Sequence, residues 1–480
     1  MKRYLSPLFL LILAVCVLAN CRQTDAGKAS DSPVETPLDS ATLRAMANYQ
    51  TYCASCHGEQ MMAFADRQWK HGKERDSLVQ SIADGYVDAG MPAWSAALTA
   101  QDIEEMADYI LTGIEHVEKY GFEEITLSSD TFETEKLTFS LDTIVEGMDI
   151  PWGMTFLPSG ELLVTEKKGI LYLVDQEGNK TEVKGAPKVR FDSQGGLLDI
   201  VLHPDFETNH WLYISYSDIE EKDGETLSGT AINRYTWADN QLTEPVEIFK
   251  GKPYSKAQYH YGSKIVFDKD GYLFFTASDR ANRDENPQTL TNPMGKIHRL
   301  KDDGSVPEDN PFVGQEDAVP SIYSYGHRNA QGLSIDPNTG NLWAHEHGPR
   351  GGDELNLIES GNNYGWPVIS YGINYDGTTF TNTLEKEGME QPIHYWVPSI
   401  APCGMTFVDS DKYPGWEGNI LIGSLRFKYL NRVVVKGNQV VSEEPLMKNI
   451  GRLRNVIQGA DGYIYVSVEN PGYVFRLMPI

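Results

Sequence analysis

The sequence predicts a two-part chain: a small all-α domain followed by an all-β six-bladed β-propeller. Two observations carry this. Residues 40–118 place apolar positions at helical spacing around the pentapeptide Cys53-Ala54-Ser55-Cys56-His57. Beyond Leu141 the texture changes to short β-runs broken by Gly, Asp, Asn and Pro, and one turn–strand phrase recurs six times.

The chain opens on a leader. Lys2 and Arg3 form a charged start, and residues 5–17 form an apolar run too short for a mature span. Residues 1–20 therefore read as a signal peptide. Leu18-Ala19-Asn20-Cys21 resembles a bacterial lipobox, so cleavage before Cys21 would leave an acylated N-terminal cysteine. Plain secretion with an incidental cysteine is the simpler alternative. No later segment is long and apolar enough to span a bilayer. Arg22 follows the cysteine in place of the Asp that retains lipoproteins at an inner membrane. The expected location is thus the periplasm or cell surface, with the outer membrane favoured. Residues 21–39, rich in Ser, Thr, Asp and Pro, read as a flexible tether.

Two thiols and an imidazole spaced as in Cys53, Cys56 and His57 form the attachment signature of a c-type haem. The thiols can form thioethers with the porphyrin, and His57 can ligate iron. A zinc site would need a second ligand pair at short spacing. A thioredoxin-type pair would need a βαβ pattern. Neither is present. Met91, in Gly90-Met91-Pro92-Ala93-Trp94, is the expected second iron ligand, because a thioether opposite His suits electron transfer. Met61 and Met62 follow the motif too closely to reach the opposite haem face, and ordinary core filling is the plain alternative for Met91.

The helices expected in this domain are one carrying Leu43, Met46, Ala47 and Gln50, one over residues 76–83, and one opened by Thr99-Ala100-Gln101-Asp102 and ending at Ile110. That is the build of a small cytochrome c, in which the porphyrin supplies much of the core. Residues 119–138 read as a linker. With Cys16 in the leader, Cys403 is the only cysteine left over, and it reads as a buried small residue.

The recurring phrase begins at Ser159, Asn209, Asp270, Thr339, Glu417 and Asp461. Copies at intervals of roughly forty to eighty residues suggest propeller blades over residues 139–480. Accidental similarity within a series of β-sandwiches would not explain six copies. In a propeller, ligands enter the funnel over the axis, so function belongs to the loops there. The chain carries 68 acidic and 41 basic residues, a formal net charge of −27. This excludes a nucleic-acid partner, which needs basic patches.

From about Leu141 onward the chain resembles the soluble quinoprotein sugar dehydrogenases, in particular the aldose sugar dehydrogenase branch of the glucose/sorbosone dehydrogenase family. The matching phrases occur in order: Gln194-Gly195-Gly196-Leu197-Leu198 with His203-Pro204-Asp205-Phe206, His260-Tyr261-Gly262-Ser263-Lys264, Tyr325-Gly326-His327-Arg328-Asn329-Ala330-Gln331-Gly332, Glu346-His347-Gly348-Pro349-Arg350-Gly351-Gly352-Asp353-Glu354, and Asn363-Tyr364-Gly365-Trp366-Pro367. The resemblance implies pyrroloquinoline quinone and Ca2+ as cofactors. It implies His260 as the general base and Arg328 as the group that stabilises charge on the quinone oxygen. Gln194, Asn329, Arg426, Arg452 and Arg454 would contact the cofactor. Backbone carbonyls of Gly348 and Pro349 would hold one calcium, and those of Glu354 and Tyr364 a second. His327 and His347 read as satisfied loop histidines.

Two positions depart from the pattern. Arg426 stands where the family usually offers Lys, and the two are not interchangeable. Tyr259 precedes His260 where glucose-oxidising members carry an acid, so the base is expected to be oriented differently. The sequence thus predicts a lipid-anchored quinohaemoprotein that oxidises an aldose to its lactone and passes electrons through the fused haem to a downstream respiratory acceptor. The alternatives are another alcohol or aldehyde substrate, or a cell-surface binding propeller with a decayed quinone site.

Overall fold

The computed structural model describes residues 39–57, 71–72, 74–87, 91–115, 131–375, 378–469 and 471–480. The leader, Cys21 and the tether up to residue 38 lie outside the described residues, as do Met61, Met62, Gly90 and the Cys56 side chain.

The N-terminal region is helical. Ser40–Asn48 is an α-helix that passes into a π-turn, Tyr49–Cys53, and then a short α-turn, Ala54–His57. The π-turn inserts where the cysteine motif begins, a placement common at functional sites. Among the described residues two further α-helices follow at Arg75–Asp84 and Ala100–Glu115, the second running past the expected end at Ile110. Its start is a capping arrangement. The Asp102 amide donates to Thr99 Oγ1 at 3.2 Å, and the Thr99 amide donates to Asp102 Oδ2 at 3.1 Å. Tyr49, Cys53, Leu78, Ile82, Trp94 and Met106 share one apolar core, with Met91 packed on its rim.

The rest is a closed ring of six β-sheets among the described residues. Each is an antiparallel meander, and the innermost strands are Pro151–Phe156, Leu197–Leu202, Gly262–Phe267, Ala330–Ile335, Pro402–Phe407 and Arg452–Gln458. Each packs on the next and the last packs on the first. The recurring phrase is the second strand of every blade: Leu162–Glu166, Trp211–Lys222, Leu273–Ala277, Leu342–Glu346, Ile420–Ser424 and Ile464–Glu469. Full burial of both strand faces explains its run of Leu, Ile, Val and aromatics.

The sixth blade closes the ring with strands from both ends of the propeller. Its order is Arg452–Gln458, Ile464–Glu469, Tyr473–Pro479, Thr138–Val145, Thr131–Glu133. Strands therefore begin at Thr131, inside the segment expected to be linker. The pattern Thr131-Phe132-Glu133 is too short to show strand alternation by itself. Phe139, fully buried against Trp416 and Phe132, anchors this closure.

All six inner strands carry a β-bulge near their beginning, for example between Leu197 and Ile200, Gly262 and Ile265, and Leu453 and Asn455. A bulge bends its strand and re-aims the adjacent side chains. All six bulges lie at one end of the axis, the end where second strands finish and inner strands start. Replacing Phe139 with Ala should lower propeller stability by about 3–5 kcal/mol through cavity formation; the urea midpoint of the propeller transition measures this.

Candidate active site

Because neighbouring strands are antiparallel, residues just before an inner strand and just after a second strand meet at the same face. His260 precedes the inner strand of the third blade, and Asp279 follows that blade's second strand. Their side chains join: His260 Nδ1 lies 2.7 Å from Asp279 Oδ1. Trp366 Nε1 donates to Asp279 Oδ2 at 2.9 Å, and the Ala281 amide donates to Oδ1 at 2.9 Å. The carboxylate thus fixes the tautomer with the proton on Nδ1, leaving Nε2 as the basic nitrogen.

The His260 backbone adopts φ +59°, a left-handed conformation that is uncommon for a side-chain-bearing residue. Its amide donates to Gln194 Oε1 at 2.9 Å, which helps hold that conformation. Burial first, then the Arg328 cation, hold the imidazole below its ordinary range. Burial opposes ionisation of Asp279, but His260 and Arg328 outweigh it and keep the carboxyl below the usual value.

Arg328 is buried, donates from Nη1 to the His347 carbonyl at 2.9 Å, and lies 5.3 Å from the Trp366 ring centre. Asn329 Oδ1 accepts from Ser278 Oγ at 2.8 Å. His347 follows a second strand and donates from Nε2 to the Pro402 carbonyl at 2.7 Å, tying the fourth blade to the fifth. Burial keeps it neutral. His327 sits between Glu346 Oε1 at 3.0 Å and Ser324 Oγ at 2.8 Å. Both are satisfied loop histidines.

Arg452 and Arg454 do lie on one side of their strand, and they grip an internal carboxylate. Arg452 Nε and Arg454 Nε reach the two oxygens of buried Glu469 at 3.0 and 2.6 Å. Burial opposes the Glu469 charge, but Arg454 and then Arg452 hold its carboxyl far below the usual range. Two guanidiniums against one carboxylate leave a net positive charge. Arg426 Nη1 donates to the Ser399 carbonyl at 3.2 Å. Cys403 is buried as expected, yet it is not inert filling, because Arg454 Nη1 lies 3.3 Å from its sulfur. A chain of strongly negative charge therefore gathers Arg328, Arg426, Arg452 and Arg454 at one face of its propeller. That donor set fits an anionic ligand with several carboxylates.

The segment bearing Gly348 and Pro349 is a tight loop. The Gly348 amide donates to Asp353 Oδ1 at 2.8 Å, and Asp353 Oδ2 accepts from the Ala401 amide at 2.8 Å. A Cβ at Gly348 would meet the Gly351 carbonyl oxygen at 2.3 Å, so only glycine fits. Glu354 faces Glu346 across the ladder, and burial followed by the Glu346 charge raises its carboxyl to about 8. Tyr364 donates to the Leu357 carbonyl at 2.6 Å and stacks on His327 at 4.7 Å. Among the described residues no group of three or more His, Cys, Asp or Glu could hold a metal ion. Calcium here would rest on backbone carbonyls, a hard-oxygen donor set suited to it.

In the helical domain Cys53 is buried, with its sulfur 3.6 Å from Met106 Sδ, and His57 ends its short helix half-buried. Met91 is clamped by reciprocal backbone bonds to Tyr86 at 2.8 and 3.0 Å. A Cβ at Gly85 would meet the Pro92 carbonyl at 2.4 Å, so this turn needs glycine. Cys53 and Met91 thus share one apolar core, which fits a porphyrin.

A sequence profile described as Glucose / Sorbosone dehydrogenase matches residues 148–476. The chain belongs to this family. The N-terminal part of this glucose/sorbosone dehydrogenase matches a second profile, Cytochrome C oxidase, cbb3-type, subunit III, over residues 40–110. The chain is similar to aldose sugar dehydrogenase YliI of Escherichia coli (strain K12), 37% identical over 350 residues, covering 71% of this chain and 93% of the relative. The solved PQQ-bound aldose sugar dehydrogenase of Streptomyces coelicolor is 28% identical, covers 71% of this chain and 98% of its own, and superposes with a TM-score of 0.58. Cytochrome c55X of Stutzerimonas stutzeri is 38% identical over 65 residues, or 13% of this chain and 58% of that one.

Asp279 and Glu469 enter the site from outside every sequence phrase named above, and Trp366 enters from the last of the matching phrases, where it had no assigned role. Asp279 and Glu469 each stand where the recurring second strand ends, and that position was their signal. Tyr259 stands edge-on to His260, and Asp279 is the acid that orients the imidazole. Glu469→Gln should destabilise the propeller by about 3–5 kcal/mol by leaving buried guanidiniums uncompensated; thermal and urea unfolding of the variant measure it.

Proposed function

We propose that this glucose/sorbosone dehydrogenase oxidises an aldose at its anomeric carbon and delivers the electrons to a haem in its own N-terminal domain. The observation that carries the reading is the His260–Asp279 pair at 2.7 Å, set beside the arginine cluster. His260 Nε2 would take the anomeric hydroxyl proton while the C1–H leaves as hydride. The C1–O bond becomes a carbonyl and the product is the lactone, with two electrons and two protons removed. Pyrroloquinoline quinone, when bound, would supply the two-electron acceptor. Arg328 would face the oxygen on which charge develops. Arg426, Arg452, Arg454, Gln194 and Asn329 would hold the cofactor, and the carbonyls of Gly348 and Pro349, with those of Glu354 and Tyr364, would place calcium.

Cys53 and Cys56 would tether haem c and His57 and Met91 would ligate its iron; the group, when bound, would supply one-electron transfer toward a downstream respiratory acceptor. Acylation at Cys21 would anchor the protein at the periplasmic or outer surface of a membrane, and no described helix is long and apolar enough to cross one. Fusion keeps the first acceptor at high effective concentration, so transfer does not wait for diffusion.

Loaded with quinone and calcium and given a panel of aldoses, the protein should show reduction of its haem absorption bands within the mixing experiment. Haem that stays oxidised with every sugar would overturn the reading. The base must be neutral to act. With the His260 pKa held below 6.5, kcat/KM should stay level through neutral pH and fall only on an acidic limb whose midpoint lies below 6.5. Asp279→Asn removes the tautomer lock and should lower kcat by roughly 10²–10⁴-fold, read in steady-state turnover with a dye acceptor.

A further inference from the structure

Three loops beside the candidate site also touch the helical domain. Tyr259 Oη donates to the Val87 carbonyl at 3.1 Å. The Arg350 guanidinium lies over the Tyr52 ring at 5.6 Å. Tyr375 packs on the core that holds Cys53, Trp94 and Met91.

The positions of these contacts in the chain are informative. Tyr259 immediately precedes the base His260, and its ring stands edge-on to the imidazole at 4.8 Å and 90°. Arg350 immediately follows Pro349. On the other side, Tyr52 immediately precedes Cys53, and Val87 lies in the turn that Tyr86 and Met91 close. The Tyr259 and Arg350 contacts therefore join neighbours of propeller site residues to segments that bear haem-site residues.

The anchoring segments are built rather than slack. Arg350 and Ile373 exchange backbone hydrogen bonds at 3.0 and 3.2 Å, which ties the Arg350 loop to the segment bearing Tyr375. Asn374 Oδ1 accepts from Arg283 Nη1 at 2.8 Å. The Tyr259 carbonyl accepts from buried Arg280, whose guanidinium stacks on Tyr261 at 3.7 Å. On the helical side, Tyr52 packs against Trp94 at 5.2 Å, and Tyr86 stacks on His71 at 3.6 Å.

We propose that Tyr259 and Arg350 are positioning residues that dock the helical domain on the propeller rim in the pose through which electrons leave the funnel. The occupant of this rim is this chain's own helical domain. The role rests on the electron route proposed above, while the docking itself stands apart from it. A tyrosine hydroxyl at the rim has no task in the sugar chemistry assigned to His260. Its hydrogen bond to the Val87 carbonyl gives it one between the domains.

The test uses the full chain and the variants Tyr259→Phe, Arg350→Gln and the pair. Amide exchange in residues 84–92 of the sugar-free protein should quicken about 10-fold in the double variant, with peptides of the inner strands unchanged. After mixing the loaded protein with an aldose, haem reduction should slow by about the same factor, while turnover with a small diffusible dye stays at the parent value. Unchanged exchange overturns the docking. Equal loss of dye turnover and haem reduction overturns the positioning role and assigns both residues to the sugar site. If no sugar is oxidised at all, the exchange result still decides the docking.

Discussion

The buried carboxylate of Asp279 is the constraint on which the candidate site turns. It accepts from His260, Trp366 and the Ala281 amide, and so links a strand end, the imidazole and a loop from the next blade. A carboxylate in that position is unfavourable unless its charge is met. Here the imidazole and the Arg328 cation meet it. The same bonds that make the buried charge tolerable set the imidazole ring and its tautomer. The left-handed backbone at His260 persists because Asp279 grips the ring and Gln194 holds the amide. Stability and chemistry share the same atoms.

A second constraint is electrostatic. The chain is strongly acidic, yet its propeller face collects guanidiniums. Buried positive charge must be offset within the fold, and Glu469 offsets two arginines at once. This arrangement makes the arginines rigid and leaves an excess of one charge. Rigid, partly neutralised cations suit a multiply charged anionic ligand better than free ones, because less side-chain order is lost on binding. Glu469 therefore looks outward through Arg452 and Arg454 and inward as the core's own counter-ion.

Much of this was legible in the sequence. The six-fold phrase marked the second strand of each blade, because a strand buried on both faces keeps an uninterrupted apolar run. The cysteine motif and the ordered family phrases pointed to Cys53, His260 and Arg328. What sequence did not show were groups defined by partners far along the chain. Asp279 is an ordinary aspartate until the blade brings it to His260. Glu469 resembles any surface acid until Arg452 and Arg454 fold onto it. The bulges at the inner-strand starts were hidden because a bulge is a difference between two strands. Thr131–Glu133 does not show as a strand in the sequence because three residues are too few for alternation, and its ladder forms with the strand Thr138–Val145.

The described contacts of Tyr259 and Arg350 between the helical domain and the propeller rim are individually weak. An exposed hydrogen bond contributes about 1 kcal/mol and an exposed cation–π contact about 0.5–1 kcal/mol. Between separate molecules these would not hold a complex, since association costs several kcal/mol in lost freedom. Within one chain that cost has largely been met by covalent connection through residues 116–130. Weak contacts then suffice to favour one pose, and they leave it reversible. Reversibility would matter for a carrier with two exchanges to make. In the electron route proposed above, the haem side would face the funnel to receive electrons and an external acceptor to release them. A tight interface would secure the first exchange and hinder the second. A rim held by a tyrosine hydroxyl, a guanidinium and the packing of Tyr375 would serve both.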